Sequence, residues 1–132
     1  MTSSSVVPCE CRHSDPRRAK RAILRAPTVA RIIDESHFGV SVRRCPLCSA
    51  FFLTMFGERV DWVDSDDPQT WVGTEIAERA AAALLATPQR VTEQELEVAL
   101  RGVSSWIYHD MPKGSPEVIE WRSGNCIIPA HD

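Results

Sequence analysis

Four of the chain's five cysteines fall in two close pairs, Cys9-Glu10-Cys11 and Cys45-Pro46-Leu47-Cys48. A tight turn across a two-residue gap can aim both sulfurs at one point, and a zinc-bound thiolate sits about 2.3 Å from its metal. Pro46 fixes one backbone torsion of that turn, which lowers the entropy of the unliganded loop. The Cys9-X-Cys11 pair is tighter, and an extended or bulged segment is expected to direct its sulfurs to a shared ion. Four soft ligands in a closed set favour zinc over harder metals. The chain is therefore expected to hold one structural Zn2+ through Cys9, Cys11, Cys45 and Cys48, with His13 an alternative ligand in place of Cys9 or Cys11. The rival readings are a redox Cys-X-X-Cys, an iron–sulfur cluster and unmetallated buried thiols. The first lacks the strand-then-helix setting of a thioredoxin motif. Cys126 stands apart from both pairs and reads as a buried apolar side chain.

Signatures of catalysis are missing from the sequence. There is no phosphate-binding glycine loop, no His-Glu-X-X-His and no dinucleotide fingerprint. Cys126 with His109 or His131 has the residue types of a nucleophile and base, but no spacing brings them together. A metal closed by four thiolates leaves no position for an activated water. No catalytic residue is expected, and the reading favours a binding module over an enzyme.

Two surfaces suit binding. Glu58, Asp61, Asp64, Asp66 and Asp67 surround Trp62 and precede Trp71, so Trp62, Asp64, Asp66, Asp67 and Trp71 form a candidate protein interface of aromatic anchors beside charge. The alternative partner is a nucleic acid, contacted at its phosphates by Arg17, Arg18, Arg21 and Arg25. The net charge of −3 hides an asymmetry: residues 1–44 carry nine basic and four acidic side chains, residues 45–132 six and fourteen. The acidic second part and a pI near 5.8 oppose nucleic-acid binding and suit a basic protein partner.

These groups need elements to position them. Residues 1–8 are Ser-rich and read as disordered, leaving residues 9–132 as one zinc-stabilised domain. Asp15-Pro16 opens a helix with a capping side chain and a proline at its first position. A second short helix is expected from Thr28 to Ser36 with Val29, Ile32 and Ile33 inward. Val40 and Val42 alternate with polar residues in a strand leading into Cys45, and a second strand runs from Ala50 to about Val63. Trp71 and Val72 begin an extended return. Thr74 is expected to cap a helix through about Ala86, and Thr92-Glu93-Gln94-Glu95 is a capping box for another reaching Gly102. A strand is expected over Glu117 to Arg122. The fold class is α+β: an antiparallel hairpin or sheet bearing the metal turn, packed with several helices.

Strand, Cys-Pro-X-Cys turn, strand resembles the zinc-knuckle half of zinc-ribbon and treble-clef proteins, over Arg44 to about Val63. The N-terminal pair supplies the other ligands. The position after the second knuckle cysteine, usually glycine, is Ser49 here. With its aromatic strand, Glu58, Asp61-Trp62 and Asp66-Asp67-Pro68, the segment also looks like small bacterial zinc-ribbon proteins, a resemblance that implies no activity. Thirteen arginines against two lysines fit the codon usage of a GC-rich bacterial genome. No apolar run approaches the roughly 20 residues that span a bilayer, and no basic start precedes an apolar stretch. A cytoplasmic compartment, where stable disulfides are disfavoured, is expected. The function expected is a non-enzymatic zinc-binding module for protein–protein interaction, one specific form being an immunity- or antitoxin-like bacterial protein. The alternative is a nucleic-acid-binding regulator using the basic helix Arg17–Arg25.

Overall fold

The computed structural model describes residues 9–60, 67–112 and 114–132. Residues 1–8, and Trp62, Asp64 and Asp66 of the expected interface, lie outside the described residues. Six strands form one antiparallel sheet in sequential order: β1 (Thr28–Glu35), β2 (Phe38–Arg44), β3 (Phe51–Glu58), β4 (Gln69–Ile76), β5 (Ser105–Met111) and β6 (Val118–Ser123). One helix, α1 (Pro16–Arg25), precedes the sheet, and α2 (Glu78–Ala86) and α3 (Glu93–Ala99) lie between β4 and β5.

Successive strand residues point to opposite faces, and here both faces are covered. Leu53, Met55, Val72 and Trp106 pack with Leu84, Leu96 and Leu100 of the α2–α3 unit. Their neighbours Phe52, Trp71 and Ile107 pack on the other face with Ala19 and Ile23 of α1 and with Cys11 and Cys45. A central strand buried on both sides reads as a continuous apolar run, which explains Phe51-Phe52-Leu53-Thr54-Met55-Phe56. Gly73 is required for a packing reason: a Cβ there would fall inside the Trp71 indole.

Two expected helices are corrected. Thr28–Glu35 is an edge strand, with Ile32 buried and Val29 exposed. Its pairing with β2 shifts register between Thr28 and Ala30 and again between Arg31 and Ile33. Bulges break the period-two alternation, so the apolar spacing imitated a helix although the β-branched residues favour a strand. Thr74 does not cap a helix: it lies within β4 opposite Leu53, and its hydroxyl donates to the Ser105 carbonyl at 3.0 Å. The helix begins only at Glu78. The second hairpin strand is also shorter than expected, ending at Glu58.

Two helix starts agree with their sequence signals. The Asp15 carboxylate accepts from the Arg17 amide at 3.0 Å above Pro16. The Thr92 hydroxyl and Glu95 carboxylate complete a reciprocal capping box, and that helix ends at Ala99. No helix among the described residues is long and apolar enough to cross a membrane.

Candidate metal centre

The two cysteine pairs, 36 and 37 residues apart in sequence, reach the same point. Cys9 precedes a single 3-10 turn, Glu10–Arg12, and Cys11 lies at its centre; the turn is closed by the Arg12 amide donating to the Cys9 carbonyl at 2.8 Å. The segment is thus a helical turn and not the expected extended or bulged stretch. Three contacts dock it on the sheet. The Arg12 guanidinium grips the Glu75 carboxylate of β4 through two bonds, 2.8 and 2.9 Å. The Trp121 indole of β6 donates to the His13 carbonyl at 2.9 Å. Ala19 and Ile23 of the following helix are fully buried against the same face.

Cys45 and Cys48 form the turn between β2 and β3. The Cys45 amide donates to the Ala50 carbonyl and the Ser49 amide to the Cys45 carbonyl, both at 2.9 Å. Ser49 has φ +64°, the left-handed conformation for which glycine is the usual solution. The turn also holds Leu47 almost fully in solvent, at 84% exposure.

The four sulfurs lie within 4.8 Å of one another. Cys9 Sγ is 3.6 Å from Cys45 Sγ, and Cys11 Sγ is 3.6 Å from Cys48 Sγ, so the pairs interleave. A disulfide would need about 2.0 Å, and all five cysteines are free. Four thiolates around one zinc at about 2.3 Å stand about 3.8 Å apart at tetrahedral angles. The cluster therefore fits a four-sulfur metal site. His13 is not part of it; its Nδ1 accepts the Asp15 amide at 2.9 Å, at the start of α1.

Electrostatics point the same way. Burial opposes ionisation of Cys45, but the amides of Cys48 and Leu47 aim at its sulfur and, with the Cys9 thiol, bring it down to about 7. Burial pushes the Cys11 thiol up, and the neighbouring Cys9 and Cys48 add to this. Burial likewise raises Cys48, against the Ala50 amide. The Cys45 thiolate forms readily while Cys11 and Cys48 resist, as expected of clustered acidic groups lacking a cation between them. A divalent cation there reverses that balance.

The other candidate residues are dispersed. Trp71 is only 5% exposed and its indole covers Gly73, so it belongs to the core and not to an interface. Asp67 is half-buried just before β4. Arg17 pairs with Glu117 at 2.8 Å and Arg18 with Glu10 at 2.7 Å, while Arg21 and Arg25 have no ion pair among the described residues. Cys126 is half-buried against the α2–α3 core, and burial raises its thiol to about 12. His109 meets Lys20 and Glu117, and His131 meets Glu93, so neither histidine is partnered with Cys126. A concavity of about 750 Å3 between α2, α3 and the end of β4 has Glu75, Arg79, Glu95 and Arg101 in its lining but no histidine or cysteine.

Fold and site together define a six-stranded antiparallel sheet protein with a four-cysteine cluster on one face. Comparison with family models, curated proteins and solved structures finds no match to this chain.

Proposed function

We propose that this chain is a non-enzymatic binding module whose cysteine face is held together by one structural zinc ion. The observation that carries the reading is the interleaved set of four sulfurs within 4.8 Å, drawn from sequence positions 36 and 37 residues apart. Zinc suits four thiolates that include two fully or nearly buried sulfurs, Cys11 and Cys45. All four coordination positions are filled by protein, so the ion serves folding and not water activation. In small domains such an ion contributes on the order of 10–16 kcal/mol of apparent binding energy, much of it folding energy. The test is elemental analysis of the purified chain together with a Cys45→Ser/Cys48→Ser variant. One zinc per chain, lost in the variant together with much of its stability, is expected; a metal-free wild-type chain that folds refutes the reading.

The partner in this reading is another protein. Leu47 is the most exposed large apolar side chain among the described residues, and it stands on a turn that the metal would clamp. A rigidly presented aliphatic side chain loses little entropy on docking. The acidic charge of residues 45–132 favours a basic partner, as an immunity- or antitoxin-like role would require. Leu47→Asp is expected to abolish capture of a specific partner while zinc content and folding persist. Undiminished capture removes Leu47 from the interface.

A further inference from the structure

Lys20, His109 and Glu117 form a hydrogen-bonded chain that the metal site does not use. Lys20 Nζ lies 2.7 Å from His109 Nδ1, and His109 Nε2 lies 3.1 Å from a Glu117 carboxylate oxygen. The three come from different parts of the fold: the side of α1 that meets the sheet, the middle of β5 and the segment just before β6. Lysine has only donors to offer, so His109 Nδ1 accepts and its Nε2–H donates to Glu117, which fixes the neutral tautomer. Glu117 is itself held by Arg17 at 2.8 Å. His109 is only 7% exposed, and the Lys20 ammonium stands 4.8 Å above the Trp71 ring. Burial lowers both Lys20 and His109 from their ordinary values; Arg17 adds to this at both, while Glu117 opposes it at both.

A nucleophile within reach of a base, the base oriented by a third group, is the arrangement that activates weak nucleophiles. An exposed surface lysine would have none of this. We propose that Lys20 is a nucleophilic amine with His109 as its base and Glu117 as the positioning residue, and that it accepts acyl groups from activated donors such as thioesters or active esters. The ammonium first releases a proton to solvent; the neutral amine then attacks the acyl carbon, an N–C bond forms and the C–S or C–O bond to the leaving group breaks. The nitrogen's surplus proton passes to His109 Nδ1, Glu117 stabilises the imidazolium, and the leaving group or water takes the proton up. One amide and one thiol or alcohol result, with no change of oxidation state. The inference does not rest on the proposed metal, because none of the three residues is a cysteine-cluster member.

The chain has just two lysines, Lys20 and Lys113, so peptide mapping separates their rates cleanly. The test exposes the intact purified chain to p-nitrophenyl acetate and follows acetylation at Lys20, Lys113 and the amino terminus by mass spectrometry. Lys20 is expected to react at least about tenfold faster than Lys113 near neutral pH, and to lose that advantage in denaturant. His109→Gln, with its fold verified by circular dichroism, is expected to reduce the Lys20 rate by about 10²-fold, the lower end of general-base contributions. Glu117→Gln is expected to move the midpoint of the Lys20 pH–rate profile to lower pH, because the imidazolium loses its counter-charge; a merely structural role would leave the midpoint in place. Should His109→Gln fail to fold, the wild-type comparison of Lys20 with Lys113, native against denatured, still decides. Equal reactivity of the two lysines, or a Lys20 rate that survives denaturation or a folded His109→Gln variant, overturns the proposal.

Discussion

A folded state that binds zinc through four thiolates gains RT ln(1 + [Zn]/Kd) in stability when the unfolded chain binds none. Above Kd, each tenfold rise in free zinc adds about 1.4 kcal/mol. Unfolding entropy is about 2.1 cal/mol/K per residue near the midpoint, or about 0.28 kcal/mol/K for this chain of 132 residues. The melting temperature should therefore climb about 5 °C per decade of free zinc. Residual binding by unfolded thiols lowers the slope. The interleaved geometry makes the response depend on both pairs at once, since Cys9 faces Cys45 and Cys11 faces Cys48. The assay is scanning calorimetry under reducing conditions in metal-buffered solutions spanning several decades. Cys45→Ser/Cys48→Ser should flatten the response, and Cys9→Ser/Cys11→Ser should do so equally. A wild-type melting temperature indifferent to free zinc, or a slope that survives either double substitution, refutes the reasoning.

Further consequences follow from packing and charge. Ser49→Gly relieves a left-handed backbone position at φ +64° and should stabilise the chain by about 0.5–1 kcal/mol in denaturant unfolding; a loss of stability would show that the turn is not held in that conformation. Gly73→Ala drives a methyl into the Trp71 indole and should cost about 1–3 kcal/mol, with an altered tryptophan emission; an unchanged unfolding midpoint contradicts the packing. His109 and His131 should titrate on opposite sides of 6.5 by NMR. Burial is the main influence holding His109 below that value, while at His131 the Glu93 carboxylate and Asp132 carbonyl outweigh burial and raise it. The unfolded chain takes up a proton that folded His109 declines, so its contribution to stability falls as pH drops below 6.5. His131 contributes fully below 6.5 and loses its contribution as pH rises through its folded value. His131→Asn should thus destabilise more in acid than in alkali, and a uniform loss would remove the Glu93 pairing as its cause.

What the sequence revealed was short-range. Cys45-Pro46-Leu47-Cys48 announces a turn between strands, Asp15-Pro16 a helix start and Thr92-X-X-Glu95 a capping box, because each signal is complete within a few residues. The convergence of the two cysteine pairs was inferable from residue type alone, since four soft ligands have few other uses. Long-range or irregular features were hidden. Bulges in β1 displaced Val29, Ile32 and Ile33 into helical spacing, and Thr74 resembled a cap only because its partner, the Ser105 carbonyl, lies 31 residues away. Trp71 looked like an anchor beside acidic residues until the bare face of Gly73 gave it a buried seat. The contact between Lys20 and His109 spans 89 residues and left no local trace. An amine over an indole emerges only when α1 lies across β4 and β5.

The central claim is that both cysteine pairs bind one zinc ion in a closed four-sulfur shell. X-ray absorption at the zinc edge of the purified chain measures that shell directly. Four sulfur neighbours at about 2.3 Å are predicted. A shell containing nitrogen or oxygen, fewer than four sulfurs, or no bound zinc in the folded chain would contradict it.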